Sequence, residues 1–271
     1  MAEVMRASRS PVCRQPPPSA LFPLPDEIMA KHSHWDNIKH KKAANDKKKG
    51  AVIAKMGKLI TSAVGMGGPK MEDNPRLRLA VDKARANKMN MDAIERAIKK
   101  AAGDLASGKQ MVELTYEGYG PGGVAIVLDI LTDNRNRTAP EIKKLFEYAD
   151  SAIGAPGCVS WQFKPTAAFL VENATEDQVM EILLAADADA GEIGQLDEGQ
   201  VSVTAEANQF DVVQKALQGA KLAVVSAELT KLPENVVEIT DAEVRSRLEA
   251  LLESLDDHDD VQEVYHNAVF G

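Results

Sequence analysis

Several residue groups have the types and spacing for chemistry. Gly118-Tyr119-Gly120-Pro121-Gly122-Gly123 matches the GxGxxG spacing of a dinucleotide loop. That site needs its glycines to open a helix whose N-terminus meets a pyrophosphate. Here VAIVLDIL follows, a strand by composition and length, so a glycine-rich hairpin or bulged turn is expected. No phosphate loop of the GxxxxGK[ST] type occurs. His32, His34 and His40 have ligating side chains, but no cysteine or carboxylate set completes them at zinc spacing, and the surrounding lysines disfavour a divalent cation. Asp256-Asp257-His258-Asp259-Asp260 reads as an acidic surface loop between a helix and a strand. Arg135 and Arg137, in the run Asp133 to Thr138, sit between a strand and a helix start. They are either a candidate anion site for phosphate or carboxylate, or partners for the domain's own acids. No Ser/His/Asp or Cys/His arrangement stands out, and Cys158 lacks an activating neighbour. No catalytic residue, metal site or cofactor is expected, and the chain does not read as an enzyme.

The strongest chemistry is charge. Lys31 to Lys58 holds nine lysines (Lys31, Lys39, Lys41, Lys42, Lys47, Lys48, Lys49, Lys55 and Lys58) against Asp36 and Asp46. The chain as a whole is −9. Residues 1–110 carry 22 Lys and Arg against 11 Asp and Glu, and residues 111–271 carry 10 against 30. A field concentrated in this way points to a polyanion. Lys41, Lys48 and Lys55 are seven apart, and Lys58 lies three beyond Lys55, so in one continuous helix they share a face. Lys39 and Lys42 form a neighbouring row. Such rows follow a phosphate backbone without reading bases. Lys47, Lys49, Arg76 and Arg78 add charge, His40 joins the candidate nucleic-acid-binding set, and His32 and Ser33 add hydrogen bonds to phosphate. Trp35 either stacks on a base or anchors its helix. Reversing Lys41, Lys48 and Lys55 to Glu is expected to weaken binding and leave folding intact. The expected partners are DNA, ribosomal RNA or tRNA at the basic part, and other proteins at the acidic part. Nothing approaches the ~20 apolar residues of a membrane span, so no membrane partner is expected. Cys13 and Cys158 form no disulfide framework, which suits a reducing compartment.

The elements that carry these residues fall into regions. Residues 1–28, with PPP at 16–18, read as a disordered extension. Arg6, Arg9, Arg14 and three serines hint at a transit peptide, while Glu3, Asp26 and Glu27 oppose it. The expected location is the cytoplasm, or the mitochondrial matrix if this extension is a transit peptide. A mis-set start gives the same appearance. Residues 29–107 read as a helical basic domain. Ser33 and Asp36 form a capping box, and Val52, Ile53, Met56, Leu59, Ile60 and Val64 form a helical stripe. Propensity allows a helix break near Gly50. Asn74-Pro75 starts a helix running to about Asn87. Asn90 caps another, with Gly103 after its end.

From residue 108 the pattern changes. Strands are expected at Val112–Glu117, Val124–Thr132 and Val159–Lys164, with a helix opened by Thr138 and Glu141. Residues 166–231 read β-α-β-β-α-β, a split unit of ferredoxin type, with Thr175 and Gln178 capping its first helix. Thr240 and Glu243 are expected to cap a last helix before a strand at Val261–Tyr265. The fold class is therefore multidomain α+β: an all-helical basic domain and two ferredoxin-like α+β domains, with 166–231 inserted between 108–165 and 232–271.

Five stretches carry a resemblance. HSHWDNIKHKKAANDKKKG, NPRLRLAVDKARANKM, YEGYGPGG, LTDNRNRT and DDVQEVYHN resemble, in collinear order over about 29–267, the YebC/PmpR family. That family includes the mitochondrial translational activator of cytochrome c oxidase subunit one. The resemblance implies a helical N-terminal domain and two α+β domains, one inserted in the other. It implies a non-enzymatic role in gene expression: DNA-binding transcriptional regulation, or ribosome-associated translation with relief of stalling. The family opening GHSKW is KHSHW here, so Lys31 replaces a glycine and His34 a lysine. Met29-Ala30 stands where bacterial members typically begin.

Overall fold

The computed structural model describes residues 49–106, 108, 111–196 and 199–270. The extension, the Ser33 capping box and the lysines before Lys49 lie outside the described residues. No described helix is long and apolar enough to cross a membrane. The architecture is multidomain α+β, helices first and then two mixed layers of strand and helix. Contacts gather 49–160 with 239–264 into one compact unit, and 161–238 with 265–270 into another.

In the first unit the apolar stripe forms α1 (Lys49–Gly67), the first described element, so the stretch in which a break near Gly50 would show lies largely outside the described residues. Met56, Ile60, Ala63 and Val64 face inward, while Ile53 is left exposed. α2 (Pro75–Ala86) begins as its sequence signals: Asn74 accepts the amide of Leu77, and proline occupies the first helical turn. Asn74 does more than cap. It is buried and donates to the carbonyls of Ala63 at 2.7 Å and Gly68 at 2.9 Å, tying α2 to the end of α1. The fit requires Gly67, because a Cβ there would lie 2.6 Å from the Asn74 side chain. α3 (Met91–Ala106) runs through Gly103 instead of stopping before it. That glycine is exposed with open space around it, so it only weakens the helix, by about 1 kcal/mol relative to Ala. Ile60, Leu77, Val81 and Ile94 meet in the core of the three helices.

The same unit holds β1 (Val112–Tyr119), β2 (Ala125–Thr132), α4 (Arg135–Tyr148), β3 (Ala152–Ile153), α7 (Ala242–Asp256) and the start of β9 (Val261–His266). The sheet order is β3-β1-β2-β9. β1 and β2 form a hairpin with Gly118 opposite Ile126. Its turn is the glycine run: Gly122 and Gly123 have φ of +74° and +77°, and Gly123 donates to the Gly120 carbonyl. Gly118 is needed for close approach, since a Cβ there would lie 2.6 Å from the Ala152 carbonyl. The GxGxxG match therefore serves a hairpin and its packing.

The second unit runs β4 (Phe163–Glu172), α5 (Glu176–Ala185), β5 (Ala190–Gln195), β6 (Gln200–Glu206), α6 (Phe210–Gly219) and β7 (Ala223–Pro233). Its order is β5-β6-β4-β7, with β4 central and antiparallel to both neighbours. That is the β-α-β-β-α-β split unit expected for 166–231. Phe169, Val171, Val201 and Val203 pack against Val179, Leu183, Val213 and Leu217 of the helices, and Phe169 stacks on Phe210. β8 (Val237–Ile239) and β10 (Ala268–Phe270) add a two-stranded sheet.

Three further boundaries differ from the sequence expectation. No separate strand spans Val159–Lys164: residues 160–162 form a 3-10 turn and one strand runs from Phe163 to Glu172. Pro165 lies where β4 is paired on one side only, which tolerates a missing N–H. The third strand of the first sheet is instead the two-residue β3, too short for periodicity to show. α4 starts at Arg135, capped by Asn134, whose side chain accepts the amides of Asn136 and Arg137, so Thr138 lies inside the first turn. α7 is capped by Asp241, not Thr240. In both helices a side-chain oxygen of a nearby Asn or Asp reaches the free amides first. Thr175 and Gln178 form the expected capping box on α5.

Candidate nucleic-acid interface

Of the candidate nucleic-acid-binding residues, Lys31, His32, Ser33, Trp35, Lys39, His40, Lys41, Lys42, Lys47 and Lys48 lie outside the described residues. Lys49 opens α1. Lys55, Lys58, Arg76 and Arg78 can be placed, and they do not form one open row. Lys55 is buried at 8 % exposure, with its ammonium on the Asp256 carbonyl and 3.2 Å from Asp256 Oδ1. Lys58, one turn on, donates to the Asp259 carbonyl at 2.9 Å and to Asp260 Oδ1. Arg76 is paired with Glu113, which also accepts from Ser62. Arg78 is exposed. Lys55 thus faces the end of α7, where a carboxylate in its place would meet Asp256 and the negative end of a helix.

Arg135 and Arg137 separate in the same way. Arg135 is exposed at the start of α4. Arg137 places Nη2 2.8 Å from Asp260 Oδ2 and 3.3 Å from Asp133 Oδ1. The Asp260 hydrogen bond and charge raise the Arg137 pKa further. Arg137 is therefore paired with the unit's own acids.

The residue that organises this region is Asp260, at 1 % exposure. Besides Lys58 and Arg137 it accepts from Thr138 Oγ1 at 2.7 Å and Thr132 Oγ1 at 3.2 Å. Burial pushes its pKa up. Hydrogen bonds from Lys58, Arg137 and Thr138, with the charge of Lys58, outweigh burial and hold it far below the usual carboxylate range. His258 orients the loop: its Nδ1 faces the Asp260 amide at 3.1 Å, and its Nε2 faces Glu141 Oε2 at 3.2 Å. An Nδ1 that accepts leaves the proton on Nε2, where it donates to Glu141.

Asp260 does not stand out in the sequence, because four of the five residues of DDHDD are aspartate. The signal was its position, directly before the buried Val261 that starts β9. Glu117 was missed too. It is buried on β1 and accepts the amides of Gly157, Val159 and Ser160, fixing the loop after β3. Burial raises its pKa, and the three amides lower it by more.

A cleft of about 870 Å³ opens beside Asp260. Lys58, Lys100, Arg137 and Lys144 line it together with six carboxylates, so it offers no positive bowl for phosphate. Among the described residues no group of three or more His, Cys, Asp or Glu is arranged to hold a metal ion.

Two family models match the chain in order. The TACO1/YebC protein N-terminal domain covers residues 33–104, and the TACO1/YebC second and third domain covers 111–268. The chain belongs to the TACO1/YebC family. Among its relatives, a probable transcriptional regulatory protein of Desulfotalea psychrophila is 44 % identical over 241 residues, covering 88 % of this chain and 95 % of that one. One of the same description from Fusobacterium nucleatum is 42 % identical, with 88 % and 95 % covered. Among solved structures, a conserved hypothetical protein of Aquifex aeolicus superposes with a TM-score of 0.75 at 36 % identity, covering 88 % of this chain and 98 % of that one. These two curated relatives of the TACO1/YebC chain are thus named as regulators and not as enzymes.

Proposed function

We propose that this chain is a non-catalytic regulator of gene expression that binds DNA through its basic helical part. The observation that carries this reading is the charge division: 22 basic against 11 acidic residues up to 110, and 10 against 30 beyond it. A basic part is drawn to phosphate, and an acidic part keeps the remainder off it and free for protein partners. Because Lys55, Lys58 and Arg76 have acidic neighbours, the phosphate contacts fall mainly on Lys31 to Lys49 and on exposed Arg78.

A second reading is a ribosome-associated translation factor that relieves stalling by touching ribosomal RNA or tRNA. The lysine spacing favours it, since rows of lysine seven apart track a backbone and read no bases. Crosslinking in cells followed by sequencing separates the two. Discrete promoter peaks support the transcriptional role, and reads concentrated on ribosomal RNA or tRNA support the translational one. Absence of both overturns nucleic-acid binding.

A further inference from the structure

Within the first unit, α1 and α2 meet the sheet and α7 along a seam whose charge is sorted by side. Among the described residues four ion pairs cross it: Lys55 with Asp256, Lys58 with Asp260, Arg76 with Glu113, and Lys83 with Glu263. In all four the cation belongs to the helices and the carboxylate to the α+β part. Lys55 and Lys58 also grip backbone carbonyls at and just beyond the end of α7, where the helix dipole is negative. These four cations are thus held by carboxylate and carbonyl oxygens, the kind of acceptor a phosphate backbone also offers.

Three of the acids are only half-buried, their side chains 34 %, 44 % and 36 % exposed at Asp256, Glu113 and Glu263. The Arg76–Glu113 and Lys83–Glu263 pairs, half-exposed on both sides, are weak and screened by salt, while Lys55 is itself buried and reaches solvent only on its Asp256 side. A nucleic acid, which offers many phosphates at once and gains from counterion release, competes well against them.

We propose that this seam is an electrostatic latch: the acids of the α+β part stand in for phosphates on Lys55, Arg76 and Lys83, and a phosphate backbone binding the helical part releases them. Lys58 stays on the buried Asp260 as the hinge side of the latch. The inference rests on the nucleic-acid reading above and adds that the chain's own acids set its affinity.

The test uses the full chain and three charge-removing substitutions that keep a hydrogen-bonding side chain: Asp256→Asn, Glu113→Gln and Glu263→Gln, singly and together. Two readouts are taken. One is the rate at which Lys55 is modified by an amine reagent, followed by mass spectrometry, without nucleic acid. The other is affinity for a short DNA duplex and for a ribosomal RNA helix. The triple variant is expected to label Lys55 faster and to bind its preferred probe about tenfold more tightly, each exposed pair contributing a factor of about two. The two probes distinguish DNA from RNA as the source of phosphate. Faster labelling with unchanged affinity overturns the latch and leaves the nucleic-acid reading standing. Slower or unchanged labelling of Lys55 in the folded Asp256→Asn variant also overturns it. Binding of neither probe by either form overturns the nucleic-acid reading, and the latch falls with it.

Discussion

Asp260 receives two cations and two hydroxyls while almost fully buried, so its charge has no alternative partner in solvent. Asp260→Asn leaves Lys58 and Arg137 facing a neutral amide. The expected loss is roughly 3 kcal/mol, at the low end for breaking a buried pair because Arg137 is half-exposed. Urea unfolding followed by circular dichroism measures it, and a loss within error of zero overturns the role given to the carboxylate. The pH dependence has a definite sign. Asp260 and Glu117 both have folded pKa values below their unfolded ones. Their contribution is present above the ordinary carboxylate range and is lost as pH falls, so stability declines below about pH 4. Asp260→Asn is expected to flatten that acid limb. None of this was legible in DDHDD as a string, because burial of one aspartate among four depends on where β9 begins and on Thr132 and Arg137, more than 120 positions away in sequence.

Helices and strands were more legible where one local signal fixed them. Asn74-Pro75 and Thr175 with Gln178 specify their helix starts through side-chain caps, and both form. Legibility failed where a nearer cap or a long-range contact outvoted the expected local signal. Thr138 and Glu141 look like a capping box, but Asn134 caps first and Thr138 turns to Asp260. The two-residue β3 depends on Gly118, which lets the backbone of Ala152 approach β1. Glycines therefore make a paired prediction. Gly122 has φ of +74°, and a Cβ there would lie 2.9 Å from Ile239 Cδ1. Gly122→Ala is expected to destabilise by about 1–3 kcal/mol, from left-handed strain and crowding together. Gly103 lies exposed inside α3, and a Cβ there would meet no atom within 4 Å. Gly103→Ala is expected to stabilise by up to about 1 kcal/mol. Thermal melts of the two variants should shift in opposite directions. A rise in melting temperature for Gly122→Ala would show that the turn does not need its glycine.

Across the whole molecule the sequence made charge legible as a total and left its pairing hidden. Nine lysines between 31 and 58 read as one basic field, yet Lys55 and Lys58 are turned onto Asp256 and Asp260. The seven-residue spacing that suggested a shared row is satisfied by any helix and says nothing about what lies opposite. This difference separates two sets of lysines by experiment. For a chain that binds nucleic acid through phosphate, the slope of log affinity against log salt counts the contacts, at about −0.9 for each phosphate neutralised on a DNA duplex. Replacing Lys41, Lys42, Lys47 and Lys48 by Gln is expected to make that slope shallower by up to about four such contacts and to leave the melting temperature near wild type. Lys58→Gln is expected to do the reverse, lowering the melting temperature with little change in slope, because Lys58 is held by the buried Asp260 and the proposed latch leaves that pair closed. A slope change for Lys58→Gln as large as one full phosphate contact would place Lys58 on the backbone and remove it from the hinge of the latch. A slope untouched by the first set would remove Lys41 to Lys48 from the interface.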